Sequence, residues 1–317
     1  FVAGSRGMVG SAIVRAFNKS GYTNLISLTR DKLDLTNYEK VREWFKFNKP
    51  EVVIIAAAKV GGIMANNVYP TEFLLENLKI QNNLIECSWK NNVKRLLFLG
   101  SSCIYPKYAS QPIKEEYLLN GELEKTNEAY ALAKISGIKL CEYLLKQHGF
   151  DAISLMPTNL YGPGDNYHLV NSHVLPALIR RFYDAVKEKK ICVECWGTGN
   201  VLREFLHVDD LGNAVVFALE KWDPKSQITN DGIINFMNVG TGSDIKIRDL
   251  ANLIAKFSNF DGQIIWDNSK PDGTPRKLLD ISKFLKLGWK PSISLEDGIK
   301  STIKDFSKLY DSNSLRL

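Results

Sequence analysis

Gly4-Ser5-Arg6-Gly7-Met8-Val9-Gly10 is the segment that decides the fold of this 317-residue chain. It follows a short apolar run, residues 1–3, and precedes a helical pattern that continues to about Lys19. The Gly-x-x-Gly-x-x-Gly spacing allows a tight turn in which backbone N–H groups approach a pyrophosphate, and the dipole of the following helix attracts the same charge. We therefore predict a dinucleotide site formed by Gly4, Arg6, Gly7, Met8, Val9 and Gly10.

Short apolar runs alternate with helical patterns after this loop. The strand-like runs are residues 25–28, 52–57, 96–99 and 152–155, and the helical patterns include 38–47, 69–91 and 130–146. Such alternation predicts βαβ units and a parallel sheet. The fold class is therefore expected to be α/β, with a Rossmann-type doubly wound sheet that binds ligands at the carboxyl ends of its strands.

The rhythm of the sequence changes after Pro157. A turn cluster at 161–165 precedes a helical pattern and a further strand-like run, and residues 205–208 look like a return to the sheet. We expect two discontinuous domains. The NADP-binding Rossmann domain is predicted to comprise residues 1–160 and 203–238, and the smaller α/β substrate domain residues 161–202 and 239–317.

The composition excludes several classes of protein. Hydrophobic residues make up 44% of the chain and charged residues 24%, as is usual for a globular fold. The net charge of +6 comes from 41 basic and 35 acidic residues, which are scattered rather than gathered in the patch of a nucleic-acid binder. No run approaches the roughly 18 apolar residues that a membrane span requires. We therefore expect neither nucleic acid nor a membrane as a partner.

Five irregularly spaced cysteines favour reduced thiols and hence the cytoplasm. Cys192 and Cys195 form a lone C-x-x-C within the strand-like run 191–196, where their separation places them on opposite faces. No second cysteine pair accompanies them, so we expect no zinc or other metal site.

The end of the second strand-like run indicates which cofactor binds. An acidic side chain there usually holds the ribose hydroxyls of NAD, whereas this run ends in Thr29 and Arg30. The planar guanidinium of Arg30, together with Arg6 from the glycine loop, suits a ribose 2′-phosphate. NADP is therefore favoured over NAD. Asp31 follows immediately and leaves open that Arg30 is a solvent-facing turn residue.

A tyrosine and a lysine form the candidate catalytic pair. Tyr130 and Lys134 are four residues apart in a helical pattern and therefore share one helix face. A free tyrosine has a pKa of about 10, and a neighbouring ammonium with an oxidised nicotinamide would favour the phenolate. Such a phenol exchanges a proton with a carbinol oxygen while hydride moves at the carbon. Ser101 or Ser102, at the end of a preceding strand, can hold the same oxygen.

This serine, tyrosine and lysine set, with the glycine pattern, resembles the signature of the short-chain dehydrogenase/reductase superfamily, in its extended branch that acts on nucleotide sugars. More specific segments are similar to the GDP-L-fucose synthase family, and the similarity runs from the glycine loop to beyond Lys277. These segments are residues 56–63 (AAAKVGGI), 100–106 (GSSCIYP), 130–134 (YALAK), 157–162 (PTNLYG), 171–174 (NSHV) and 203–210 (REFLHVDD). The serine-serine-cysteine and Asn-Ser-His segments are the most specific.

The resemblance implies an NADP(H)-dependent conversion of GDP-4-keto-6-deoxy-D-mannose into GDP-L-fucose. The 4-keto group acidifies the protons at C3 and C5, so 3,5-epimerisation comes first, with Cys103 expected as base and His173 as acid. Which of them serves C3 and which serves C5 stays open. In the reduction at C4, Tyr130 protonates the oxyanion, Lys134 lowers the tyrosine pKa and contacts the nicotinamide ribose, and Ser101 positions the keto oxygen.

The resemblance also implies where the two ligands bind. Arg180 and Arg181 are adjacent in a helix and cannot both face one pocket, and Arg181 is favoured. The substrate-binding residues are expected to be Arg181, Trp196, Arg203, Asp272 and Lys277. Besides the glycine loop and Arg30, the residues expected at the cofactor are Leu99, Gly100, Ser102, Lys134, Pro157, Asn159, Leu160 and His173. His207 is the competing histidine. It precedes Asp209 and Asp210 at a predicted helix start, where structural capping by a carboxylate is favoured.

Two rival functions stay open. The nearer is a reductase or epimerase that acts on another GDP-4-keto sugar, in which the Cys103 or His173 position would be altered. The other is a non-catalytic NADP-binding regulator, which would tend to lose Tyr130 and Lys134. Because both pairs are intact, the combined epimerase and reductase is favoured. The resemblance further suggests a homodimer joined through helices, for which the helical patterns 69–91 and 130–146 are candidates.

Overall fold

The structure, a computed structural model, describes residues 1–168, 171–226, 228–229, 232–233, 235–270 and 272–315. Its strands are β1 (Val2–Ala3), β2 (Val52–Ile55), β3 (Arg95–Leu99), β4 (Ala152–Pro157), β5 (Asn159–Tyr161), β6 (Cys192–Trp196), β7 (Leu202–His207), β8 (Ile228–Thr229), β9 (Gly232–Ile233), β10 (Phe236–Val239), β11 (Asp244–Lys246), β12 (Gln263–Asp267) and β13 (Arg276–Lys277).

Its helices are α1 (Met8–Lys19), α2 (Tyr38–Asn48), α3 (Ile63–Val68), α4 (Pro70–Lys90), α5 (Glu128–His148), α6 (Val174–Lys187), α7 (Val208–Lys221), α8 (Ile247–Phe257), α9 (Ser282–Lys286) and α10 (Leu295–Asp311). Single turns of 3₁₀ helix lie at Ser102–Ile104, Glu115–Tyr117, Lys125–Asn127 and Pro224–Ser226.

A parallel sheet, with four strands from the first half of the chain and one from the second, lies at the centre of the fold. Within the described residues its strands follow the order β1-β2-β3-β4-β10. Helices α1 and α7 cover one face, in an apolar cluster that includes Ile13, Leu97 and Val215. Helices α2, α4 and α5 cover the other, in a cluster that includes Phe45 and Leu84. Burial on both faces explains the continuous apolar runs, and the predicted Rossmann-type α/β fold is confirmed.

A second group of strands is built around β7. It pairs with β5 and β13 in parallel and with β11 in antiparallel fashion, while β6 pairs with β12. Helices α6, α8 and α10 share with these strands an apolar cluster that includes Phe182 and Phe306. The expectation that residues 205–208 return to the central sheet is wrong. The open edge of β4 needs a backbone partner, and β10 supplies it in parallel register.

Two other elements differ from the sequence expectation in extent. Residues 25–28 form no full strand; they contribute a single parallel bridge to Val2, because the neighbouring β1 has only two residues with which to pair. Helix α4 covers the pattern 69–91, and the separate α3 precedes it. Pro70 lacks an N–H and therefore suits the first turn of a helix, which explains the break before α4.

The strand order reverses at β1, which locates the ligand site. Val2 bridges Ser27 on one side and pairs with β2 on the other. Doubly wound sheets bind ligands at such a switch point, outside the carboxyl ends of the strands. The expected site therefore lies beside Gly4, which directly follows β1.

Within the described ranges, no helix combines the length and the apolarity that crossing a membrane requires. The same residues hold no group of three or more His, Cys, Asp and Glu side chains that is placed to bind a metal ion. The cysteines are free thiols; Cys192 is exposed whereas Cys195 is buried, as expected for opposite faces of β6.

Candidate active site

One cleft of about 1100 Å³ opens at the carboxyl ends of the central strands and is lined by both groups of strands. The structure brings every residue expected in the site to this cleft: Gly4, Arg6, Gly7, Met8, Val9, Gly10, Arg30, Leu99, Gly100, Ser101, Ser102, Cys103, Tyr130, Lys134, Pro157, Asn159, Leu160, His173, Arg181, Trp196, Arg203, Asp272 and Lys277. The individual role of each residue stays a prediction.

The glycine loop fits a pyrophosphate because its backbone leaves no room for side chains. Gly4 has a φ of +85°, and a Cβ there would lie 2.6 Å from the backbone nitrogen of Ala57. A Cβ on Gly10 would overlap the carbonyl oxygen of Gly4. The N–H of Gly7 donates to the Gly4 carbonyl at 3.0 Å, and α1 begins at the next residue. The free N–H groups of the first helical turn therefore lie at the cleft, where they can receive a phosphate.

Arg6 and Arg30 line the cleft with exposed side chains. Asp31 and Asp34 line the same part, so carboxylates match these cations in number. A hydrogen bond from Thr29, and to a lesser extent the charge of Arg6, holds the pKa of Asp31 below its ordinary value. A 2′-phosphate would therefore be recognised by the planar forks of the guanidiniums rather than by net charge.

Tyr130 and Lys134 line the cleft from α5. Lys134 is buried; its Nζ donates to the carbonyl of Leu99 at 2.8 Å and lies 5.7 Å from the centre of the Tyr130 ring. Burial lowers the pKa of Lys134 to about 8. Burial, and then the nearby Cys103, raises the pKa of Tyr130, against a lowering by a hydrogen bond to Ser101. Burial therefore dominates and keeps the phenol protonated. That Lys134 lowers the tyrosine pKa stays a prediction.

Cys103 lies in the 3₁₀ turn that follows β3. Its N–H donates to the Ser101 Oγ at 3.3 Å, which caps the turn. The side chain is buried, and this burial raises the pKa of the thiol. Lys277, the Ser101 hydroxyl and Lys134 act in the opposite direction. These neighbours favour the thiolate, which is the form that accepts a proton.

His173 immediately precedes α6, and its carbonyl accepts a hydrogen bond from the N–H of Ala177 at 3.0 Å. The preceding residues are held against Gly62, whose N–H donates to the Asn171 carbonyl at 2.9 Å. A Cβ on Gly62 would lie 2.7 Å from the carbonyl oxygen of Ser172, so this contact requires glycine. The imidazole is open to the cleft, whose walls reduce its hydration and thereby lower its pKa. Proton exchange at an imidazole spans the neutral pH range.

Three cations line the part of the cleft that the second group of strands provides. Arg203 and Lys277 are neighbours because β7 and β13 pair in register at these two residues. Both side chains are partly buried, and burial lowers the pKa of each. The guanidinium carbon of Arg181 lies 4.8 Å from the centre of the Trp196 ring. This set can bind a diphosphate beside an aromatic surface.

Asp272 is more tightly engaged than the sequence analysis expected. Its carboxylate accepts hydrogen bonds from the N–H and the hydroxyl of Thr198 at 2.8 and 2.7 Å. Its backbone carbonyl also accepts from Arg203 at 3.3 Å. The residue therefore holds a loop and a cation in place, in addition to lining the cleft.

Some cleft residues were missed by the sequence analysis. These are Asn66, Glu124, Asn127, Ser172 and Trp266. Most of them lie in or close to one of the family-like segments, and their position there could have predicted that they line the cleft. Arg180 and His207, which were not favoured as site residues, do not line the cleft. Arg180 donates to the Tyr167 carbonyl at 2.6 Å, and His207 caps α7 by accepting from the N–H of Asp209. His207 thus has a structural role, but its own imidazole caps the helix, where capping by a carboxylate was expected.

The chain matches a known protein family over most of its length. Residues 1–233 match the model of the NAD dependent epimerase/dehydratase family. The chain belongs to this family. It is therefore an enzyme of the epimerase/dehydratase type, and its sheet topology agrees with that membership.

Relatives within this family include GDP-L-fucose synthases. The chain is 55% identical over 302 residues to GDP-L-fucose synthase 1 of Arabidopsis thaliana, covering 95% of this chain and 91% of that protein. It is 50% identical over 311 residues to GDP-L-fucose synthase of Escherichia coli K12, covering 98% and 97%. The resemblance to GDP-L-fucose synthases expected from the motifs is confirmed.

Solved structures of related enzymes share the whole fold. A GDP-6-OMe-4-keto-L-xylo-heptose reductase from C. jejuni superposes with a TM-score of 0.92 at 38% identity, covering 97% of each chain. A GDP-L-fucose synthetase from Naegleria fowleri bound to NADP has a TM-score of 0.87 at 26% identity, covering 100% of this chain and 95% of that one.

Proposed function

We propose that the chain converts GDP-4-keto-6-deoxy-D-mannose into GDP-L-fucose, by 3,5-epimerisation followed by NADPH-dependent reduction at C4. The observation that carries the proposal is the content of one cleft. It gathers a thiol and an imidazole, Cys103 and His173, with the phenol and ammonium of Tyr130 and Lys134. The first pair suits proton exchange beside a carbonyl, and the second suits carbonyl reduction. Relatives named GDP-L-fucose synthase, at 50% identity and above, support the assignment.

The residues present fit NADPH as the cofactor. The cradle between Gly4 and Gly10, which excludes any Cβ, would receive the pyrophosphate at the start of α1. Arg6 and Arg30 would hold the 2′-phosphate, and Lys134, Asn159 and Leu160 would line the nicotinamide end. The NADP bound in the N. fowleri relative supports this choice.

Epimerisation requires a proton to leave one face of the sugar and another to arrive at the opposite face. Cys103 and His173 belong to different elements, the turn after β3 and the segment before α6, and are the two proposed proton carriers. Cys103 removes the proton at C3 or C5, and the bonding electrons move onto the C4 oxygen to form an enolate. Hydroxyl groups of Ser101 and Tyr130 stabilise the charge on that oxygen. His173 then donates a proton to the carbon, which restores the ketone with inverted configuration.

Reduction uses the second pair of side chains. NADPH, when bound, would supply a hydride to the C4 carbon. As charge develops on the C4 oxygen, the phenol of Tyr130 donates its proton to that oxygen. The raised pKa keeps this phenol protonated, which is the form that a general acid needs. The ammonium of Lys134, close to the ring, stabilises the phenolate that is left behind.

The nucleotide half of the substrate is assigned to the second strand group. Arg203 and Lys277 would neutralise the diphosphate, with Arg181 beside them. Trp196 is 41% exposed, so its ring is available as an aromatic wall for the substrate. Asp272, whose carboxylate already holds Thr198, would contact the substrate from the same loop. This division supports the two proposed domains, with the correction that β7 lies with the substrate-binding strands.

We further propose a cytoplasmic homodimer. Helices α4 and α5 pack against each other on one face of the central sheet. Large apolar side chains on or beside these helices stay exposed, including Tyr69 (50%), Leu75 (48%), Leu132 (43%) and Tyr143 (55%). Pairing of these helices with a second copy would cover them. Five free thiols are compatible with a reducing compartment.

One incubation tests the proposed reaction. The protein is mixed with GDP-4-keto-6-deoxy-D-mannose and NADPH in D2O, and the sugar product is identified by NMR. GDP-L-fucose that carries deuterium at C3 and C5 is the expected product. GDP-D-rhamnose would show a plain reductase, and an absence of NADPH oxidation would overturn the proposal.

A further inference from the structure

Three polar atoms in the wall of the cleft have no hydrogen-bond partner among the described residues. They are Oδ1 of Asn66, Oδ1 of Asn127 and Oγ of Ser172, and each is shielded from water. All three residues line the cleft. Buried polar atoms in native proteins are almost always paired, so a cluster of orphaned ones in a ligand cleft indicates that a ligand completes their hydrogen bonds.

Two of the three residues lie close to the proposed proton-transfer groups in the sequence. Asn127 is the N-cap residue of α5, and Tyr130 lies in the first turn of that helix. Ser172 is the immediate neighbour of His173. Tyr130, His173 and the three orphaned residues line one cleft, so a sugar bound there has these polar atoms in the walls around it.

Asn66 is linked through neighbouring contacts to both Ser172 and Asn127. It is 6% exposed, and its amide nitrogen donates to the carbonyls of Gly61 and Gly62 at 2.8 and 3.0 Å. Gly62 in turn contacts the backbone of Ser172, and α3, which contains Asn66, packs against the 3₁₀ turn that ends at Asn127. Asn66 is therefore fixed, with its carbonyl oxygen unused. By contrast, no side-chain hydrogen bond within the described residues holds Asn127 or Ser172, so each can turn towards a ligand without losing one.

We propose that Asn127 and Ser172, together with Asn66, form a binding subsite for the free hydroxyl groups of the keto sugar, and that this subsite selects which sugars are accepted. The inference rests on the proposed function, since it names a recognition element of the same cleft. A 6-deoxy-4-keto hexose has its remaining free hydroxyls at C2 and C3. An amide and a hydroxyl can each donate to and accept from such a group, and they match it in chemistry.

The test compares Asn127→Ala, Ser172→Ala and the double variant with the wild type. Each enzyme is assayed on GDP-4-keto-6-deoxy-D-mannose and on its 2-deoxy and 3-deoxy analogues, with NADPH oxidation as the readout. Each single variant is expected to lose about 10- to 100-fold in kcat/KM on the parent sugar. The preference for the parent over at least one deoxy analogue should shrink by the same factor. The control is Asn120→Ala, whose exposed side chain lies outside the cleft and donates only to the Glu116 carbonyl.

Thermal unfolding separates recognition from a structural role. Because Oδ1 of Asn127 and Oγ of Ser172 have no partner in the part of the chain that the structure describes, their removal should leave the midpoint unchanged or raise it. A midpoint that falls in step with activity would overturn the inference. Wild-type kcat/KM and unchanged discrimination in both single variants would overturn it equally.

A binding measurement tests the subsite independently of the proposed reaction. If the wild type turned over none of these sugars, the proposed function would fail, whereas calorimetric binding of GDP-L-fucose would still examine the subsite. At least 10-fold weaker binding by the variants than by the wild type would support it. Equal affinity would contradict it.

Discussion

Lys134→Met removes the one lysine or arginine that is fully buried among the described residues, in the wall of the cleft. Lys134 is 4% exposed, and burial lowers its pKa from 10.5 to about 8. Each pKa unit corresponds to about 1.4 kcal/mol, so folding disfavours the charged side chain by about 3 kcal/mol. Loss of the hydrogen bond to Leu99 offsets about 1 kcal/mol of this. The variant should therefore be more stable than the wild type by about 2 kcal/mol at pH 7.

The advantage of the variant should disappear as the pH rises. Below the folded pKa of about 8 the lysine is charged in both states, and the full penalty applies. Between about pH 8 and pH 10.5 the unfolded chain binds a proton that the folded protein has released, so the free energy of unfolding of the wild type rises with pH. Methionine does not titrate, and all other groups are shared by the two proteins.

Urea unfolding of both proteins at several pH values measures this difference. The difference in free energy of unfolding should shrink by about 2–3 kcal/mol between about pH 7 and pH 10, while NADPH-dependent reduction by the variant is lost. Parallel stability profiles across this range would refute the assignment of Lys134 as a buried cation whose charge is retained for function at a cost in stability.

Three further substitutions test other parts of the site. Gly10→Ala places a Cβ on the Gly4 carbonyl, so NADPH binding measured by fluorescence titration should be lost; near-normal binding would refute the cradle. Arg30→Ala should lower kcat/KM for NADPH by about 10-fold and leave that for NADH unchanged, and equal effects on both would contradict a 2′-phosphate contact. Glu204→Ala removes a buried carboxylate that accepts from the N–H groups of Thr241, Gly242 and Leu279, and should lower the free energy of unfolding by about 3–5 kcal/mol; a loss below about 1 kcal/mol in urea would contradict that role.

The parts of the fold that could be predicted are those that depend on residues close together in the sequence. The glycine loop could be predicted because its spacing before a helix reflects a turn too tight for side chains. The contact between Gly4 and Gly10, which leaves no room for a Cβ, shows this directly. The pairing of Tyr130 with Lys134 could be predicted because helical periodicity puts both on one face of α5. By contrast, residues 25–28 look like a full strand, yet they bridge only Val2, because the neighbouring β1 is two residues long.

The parts that could not be predicted depend on contacts distant in sequence. Nothing local to residues 202–207 indicates that β7 joins β5, β11 and β13 rather than the central sheet. Asn66 and Asn127 are ordinary polar residues in the sequence, and only the packing of α3 against the turn before α5 reveals their orphaned oxygens. The raised pKa of Tyr130 likewise comes from burial, which a spacing rule cannot supply.

The central claim is that one cleft carries two separable reactions, with proton exchange at Cys103 and His173 and carbonyl reduction at Tyr130. Solvent deuterium incorporation at C3 and C5 of the keto sugar, followed by NMR, tests it most directly in two variants. Tyr130→Phe should incorporate deuterium but form GDP-L-fucose at least about 100-fold more slowly, while Cys103→Ser should lose epimerisation by a similar factor and still bind NADPH. Normal GDP-L-fucose formation by Tyr130→Phe, or undiminished deuteration by Cys103→Ser, would contradict the separation.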